Sequence, residues 1–98
     1  MKLEYFPLLA KMAHYNDALF HTDAVQAYGH IVISMEILPD IDFMSVSGHK
    51  IGAIKGIGGV YFRDKELFDE VSPIIFGGKQ EYGMRGGTSN LIGMCSFS

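Results

Sequence analysis

Two short stretches carry the residues that could do chemistry. Asp42 to Lys50, DFMSVSGHK, is an apolar run whose end delivers Ser47, His49 and Lys50. Ala18 to Gln26, ALFHTDAVQ, is a second apolar run that ends in Asp23, with Gln26 three residues on. A lysine amine attacks only when neutral, so burial or a neighbouring cation must bring it below the ordinary lysine value of about 10.4. His49 and the apolar run behind Lys50 supply such a setting. A second lysine, Lys55, follows in the glycine loop KGIGG and reads as a supporting residue rather than a second nucleophile.

An amine with a partner carboxylate matches what pyridoxal phosphate requires. The lysine bonds to the aldehyde as a Schiff base, and an Asp keeps the pyridine nitrogen protonated so that the ring can accept electrons. From the same turn as Asp23, Gln26 would reach the ring oxygen. Ser47 and His49 can donate to phosphate oxygens. Other nucleotide chemistry finds no support: neither lysine lies in G-x-x-x-x-G-K-[ST], and G-x-G-x-x-G is absent. His21 and Asp23, two apart on one strand face, lack a third metal ligand at suitable spacing.

The elements that must position these residues alternate. Leu8, Leu9, Met12 and Ala13 share a helical face, with Lys11 and His14 turned away, which predicts a helix ending near Asn16-Asp17. Ala18 to Thr22 predicts a strand. Ser34 is placed to cap a short helix over Met35 to Leu38 that Pro39 stops. Asp42 to Ser47 and Gly58 to Phe62 predict two further strands, and Lys65 to Val71 a brief helix. A glycine-rich loop from Gly77 to Ser89 leads to a last helix near Asn90, capped by Thr88 or Ser89. The alternation predicts an α/β fold. The two apolar strands read as buried on both faces, as parallel strands are. Ligands of open α/β sheets bind beyond the strands' carboxyl ends, which aims Asp23 and Lys50 at one pocket.

The 98 residues amount to one domain or less, with a core covering about 60–65% of the unfolded chain's surface. A net charge of -3, with 8 basic and 11 acidic residues in no block, argues against nucleic acid or a membrane surface as partner. The single cysteine, Cys95, excludes an intrachain disulfide. Together with an N-terminus broken by Lys2, Glu4, Pro7 and Lys11, it fits a cytoplasmic protein. Cys95 sits in the apolar LIGMC and reads as a small buried hydrophobe, not a catalytic thiol. His14 and His30 read as surface residues. Of 12 glycines, all but Gly29 lie from Gly48 onward, which marks the second half as the place where backbone bends or approaches a ligand.

Three motifs in order, DAVQAYG from Asp23, SGHK from Ser47 with KGIG from Lys55, and GGKQEYGMRGGT from Gly77, resemble the central part of cysteine desulfurases. These are pyridoxal-phosphate enzymes of the class V aminotransferase fold. The resemblance runs from about Pro7 to Met94. It implies that residues 1–98 are a partial large domain of the aspartate-aminotransferase-like fold, with a three-stranded part of its mixed sheet and flanking helices. It makes Lys50 the Schiff-base lysine, Asp23 the partner of the pyridine nitrogen and Gln26 that of the ring oxygen. Ser47 and His49 would hold the phosphate. Thr88 would reach the phosphate of a partner subunit's site, which implies a homodimer, and Arg85 would shape the loop between subunits.

The implied substrate is L-cysteine, whose sulfur leaves as a persulfide with alanine as product. A sulfur-acceptor or iron–sulfur scaffold protein would be the further partner, in iron–sulfur cluster assembly or thiolation. Selenocysteine lyase or another class V enzyme stays open beside this. So does an inactive remnant or interaction module, because the family's other cofactor residues, substrate arginine and sulfur-accepting cysteine have no counterpart here. Three positions depart from the pattern: Ile54 stands where the family has proline, Lys79 where glycine is common, and Tyr82 where a basic residue is common. The proline's absence predicts a looser loop after Lys50.

Overall fold

A computed structural model describes residues 5–98. Helix α1 spans Phe6–Tyr15, with Pro7 in its first turn, where a missing N–H costs nothing. Strands β1 (His21–Asp23), β2 (Phe43–Ser47) and β3 (Gly58–Phe62) form one sheet in the order β1-β2-β3. β1 and β2 run parallel and β3 runs antiparallel to β2, so the sheet is mixed. Helices α2 (Lys65–Glu70) and α3 (Leu91–Phe97) follow β3.

α1 ends at the Asn16-Asp17 turn, where Asp17 takes a φ of 54° and the Ala18 N–H donates to the Ala13 carbonyl. Its inward side differs from expectation. Leu8 and Met12 are exposed, whereas Ala10 is fully buried and Phe6 packs on the core. One turn on from Ala10, His14 reaches a buried carboxylate.

One sheet face holds the core. Ala24, Leu38, Ile41 and Met44 form it, with Phe6, Phe20, Ile33, Met35, Val46 and Tyr61 packed around them. The strands are therefore not buried on both faces. In β1 only Thr22 is buried, while His21 and Asp23 stay exposed on the other side. The pairing puts His21 and Asp23 of β1 on the same face as Phe43, Ser45 and Ser47 of β2. That face is polar toward the carboxyl ends of β1 and β2.

Two predicted elements shorten. β1 is confined to residues 21–23, although the Phe20 carbonyl still accepts from Asp42 and Phe43. Ser34 to Leu38 makes a turn, not a helix: the Ile37 and Leu38 amides share the Ser34 carbonyl, and Ser34 Oγ accepts from Glu36. Pro39 leaves too few residues to repay helix nucleation.

α2 is capped by Asp64, whose Oδ1 accepts the Leu67 N–H at 2.9 Å. That bond holds the Asp64 carboxyl below the usual aspartate value, with Arg63 helping. A carboxyl lowered by folding contributes stability above its unfolded value, and that contribution is lost as pH falls through the lowered one. Acid should therefore lower the protection factor of the Leu67 amide, taken against the intrinsic exchange rate at each pH, below about pH 4 in wild type but not in Asp64→Asn, which keeps the cap without titrating. Equal acid sensitivity in both would refute this. α3 is capped by Asn90 rather than Thr88 or Ser89, its Oδ1 taking the Gly93 N–H at 3.0 Å.

Candidate active site

Asp23 is the last residue of β1 and pairs in register with Ser45 on β2. β2 runs two residues further, to Ser47, and turns into a 310 segment, Gly48–Ile51, that contains His49 and Lys50. The parallel pairing thus brings Asp23, Ser47, His49 and Lys50 to the same end of the sheet. Gln26 lies exposed in the turn after β1, where the Ala27 and Tyr28 amides both bond the Ala24 carbonyl.

Asp23 Oδ1 accepts the Val25 N–H at 2.9 Å, and Oδ2 has no hydrogen bond among the described residues. The carboxylate is thereby oriented with one oxygen free to accept. Ser47 Oγ lies 2.8 Å from His49 Nδ1. If the hydroxyl donates, His49 keeps an Nε2–H to offer; if the ring donates, the hydroxyl proton is free. Either arrangement leaves a donor for a phosphate oxygen. Lys50 is half-buried and its amine makes no hydrogen bond or ion pair among the described residues. A free amine, a carboxylate with an open oxygen and a donor pair at one strand end fit pyridoxal phosphate.

Thr88 does not join this group. It lies in the loop before α3 and lines a cavity of ≈ 530 Å³ with Arg85, Gln80 and residues Gly56 to Val60. In the wall that β3 forms, Gly58 cannot carry a side chain: a Cβ there would stand 2.7 Å from the Val46 carbonyl oxygen. Lys55 is exposed beside Gly56.

The loop after Lys50 gains a tie that proline could not make. The Ile54 N–H donates to Ser96 Oγ in α3 at 3.1 Å, while Ser96 donates to Gly93 O. The looser loop expected from the missing proline thus has an added anchor.

Several side-chain pairings escaped the sequence reading. His21 Nε2 lies 2.8 Å from Ser45 Oγ, the residue opposite Asp23. His14, read as a surface residue, bonds the fully buried Asp42. His30 is exposed but bonds the Lys50 carbonyl. Asp42 alone left a signal, a carboxylate between Ile41 and Phe43 in an apolar run, where a charge must find a partner. Cys95 is exposed rather than buried. No metal-holding group of His, Cys, Asp and Glu occurs among the described residues, and none of their helices is long and apolar enough to cross a membrane.

The aminotransferase class-V family matches residues 3–98, and the chain belongs to that family. The sequence is 48% identical over 91 residues to the cysteine desulfurase of Rhodobacter capsulatus, covering 90% of this chain and 23% of that protein. It is 46% identical over 80 residues to the cysteine desulfurase IscS of Ehrlichia chaffeensis, covering 82% of this chain and 19% of that one. Among solved structures, SspA in complex with cysteine superposes with a TM-score of 0.80 at 40% identity, over 91% of this chain and 25% of that one. A NifS-like protein from Rickettsia africae gives 0.78 at 32% identity, over 94% of this chain and 24% of that one. The fold is that of these proteins, and the chain spans a quarter or less of the length of each of these four relatives.

Proposed function

We propose that this chain is a segment of a pyridoxal-phosphate-dependent cysteine desulfurase, contributing part of its large cofactor domain. The observation that carries the reading is the parallel β1–β2 pairing, which gathers Asp23, Ser47, His49 and Lys50 at one strand end. The identity to proteins named cysteine desulfurase supports the choice within the family. When bound, the cofactor would supply an electron sink for bonds broken at the substrate's α-carbon.

This chain's residues would then divide the work. Asp23 Oδ2 would accept a hydrogen bond from the protonated ring nitrogen and hold the proton on that nitrogen, while the Val25 N–H fixes the carboxylate's orientation. Gln26 donates to the ring oxygen. Ser47 and His49 bind phosphate with the donor that their mutual bond leaves over. Lys50 holds the cofactor at rest and, once freed, carries protons at the reacting carbon. Thr88, apart from this group in its own chain, serves the phosphate of a partner subunit in a homodimer, with Arg85 in the loop between subunits.

The substrate is L-cysteine; sulfur passes on as a persulfide and alanine is released. A cytoplasmic acceptor or scaffold protein takes the sulfur for iron–sulfur clusters or thiolation. Mixing the purified chain with pyridoxal phosphate tests the cofactor reading. We expect the absorption band of lysine-bound cofactor in wild type and its loss in Lys50→Ala. A wild type indistinguishable from that variant would leave the isolated chain as a non-binding module.

A further inference from the structure

The turn that follows β1 and the turn that follows β2 touch at two points. His30 Nε2 lies 3.0 Å from the Lys50 carbonyl oxygen. A carbonyl can only accept, so Nε2 carries the proton and donates, in the neutral ring and in the protonated ring alike. Beside it, Gly29 adopts a φ of +79° and packs so closely on Ile51 that a Cβ there would run into Ile51 Cγ2. The first turn is itself stiff: the His30 N–H bonds the Ala27 carbonyl at 3.0 Å, and Tyr28 pairs with Ile31.

Each turn grips a different part of the site. The first begins at Asp23 and Gln26, and the second carries His49 and Lys50. β1 and β2 hold the two turns in register only as far as Asp23 and Ser45. Beyond that row the spacing between the Asp23–Gln26 end and the Lys50 amine depends on contacts between the turns. A ligand bonded at both ends requires that spacing, and a misplacement of about 1 Å can cost on the order of a hundredfold in a reaction that depends on it.

We infer that His30 is a positioning residue for Lys50: through the Lys50 carbonyl it braces the lysine's turn against the Asp23–Gln26 turn and so sets the distance between the site's two ends. What it positions rests on the proposed cofactor reading; that it braces the turns does not.

Two measurements separate these. Without cofactor, hydrogen exchange is followed at the Gly52 and Ala53 amides, which both bond the Gly48 carbonyl and close the Lys50 turn. His30→Ala should speed exchange there several-fold and leave the β2 amides unchanged. His30→Gln, whose carboxamide N–H can donate to the same carbonyl, should restore protection. Unchanged Gly52 and Ala53 exchange in His30→Ala overturns the brace.

With cofactor, the dissociation constants of pyridoxal phosphate and pyridoxamine phosphate are compared. Both forms can bond Asp23, Gln26, Ser47 and His49, but only the aldehyde also condenses with the Lys50 amine, releasing water, so only its affinity reports where that amine stands. His30→Ala should weaken pyridoxal phosphate about tenfold and pyridoxamine phosphate by less than about twofold, with recovery in His30→Gln. Equal weakening of both would reduce His30 to general structural support and overturn the positioning role. If wild type binds neither form, the proposed function fails, while the exchange result still decides the brace.

Discussion

Replacing Asp42 by alanine should lower the stability of the chain by about 2–4 kcal/mol, read as a fall in the urea midpoint at constant slope. Asp42 is fully buried, and its Oδ2 accepts both the Phe20 N–H at 2.6 Å and His14 Nε2–H at 2.7 Å. Arg63 Nη1 stands 2.9 Å from Oδ1, near enough to pair in charge, but that oxygen makes no hydrogen bond among the described residues. The carboxylate therefore joins the end of α1, the entry to β1 and the end of β3. Its removal strands a buried amide and separates half-exposed His14 and Arg63 from their counter-charge. Asp42→Asn keeps the shape and loses only the charge, so it should cost less, about 1–3 kcal/mol. A loss below about 1 kcal/mol in Asp42→Ala would show that α1 docks by apolar packing alone.

The second large effect separates the lysines. Lys50 is half-buried in a turn closed by three backbone bonds: Gly48 N–H to the Ile57 carbonyl, and Gly52 and Ala53 N–H to the Gly48 carbonyl. Lys55 lies exposed next to Gly56, whose φ of +92° turns the chain away toward β3. Only Lys50 combines a fixed backbone with the company of Ser47 and His49. Borohydride treatment after incubation with pyridoxal phosphate should fix the cofactor on the peptide containing Lys50, and Lys50→Ala should abolish the label. In the protein that carries this segment, the same change should lower turnover by at least about 10²–10⁴-fold, the usual worth of a positioned proton carrier. Lys55→Ala should leave both readouts near wild type. Label on the Lys55 peptide would reverse the assignment of the two lysines.

Much of this was legible in the residues. The carboxyl end of β2, both ends of β3, three of the four expected helices and the carboxyl-end placement of Asp23 and Lys50 follow from apolar runs, turn residues and α/β geometry. The errors have local causes. α1 carries apolar residues on more than one side, so periodicity alone could not choose Ala10 over Leu8 and Met12. Ser34 looked like a cap, but capping cannot make a helix from the single turn that Pro39 leaves. Asn90, Ser89 and Thr88 are all competent caps, and only backbone geometry selects Asn90.

The sequence by itself determined which chemical groups stand at the strand ends, because strand-forming runs and their polar termini are written in consecutive residues. The tertiary structure alone decided which distant groups meet. Three histidines that look alike in the chain went to different partners: His14 to Asp42, His21 to Ser45 and His30 to the Lys50 carbonyl. Those bonds span 20 to 28 residues. They depend on strand register and on how closely helix and turn approach the sheet, and no local pattern encodes either one.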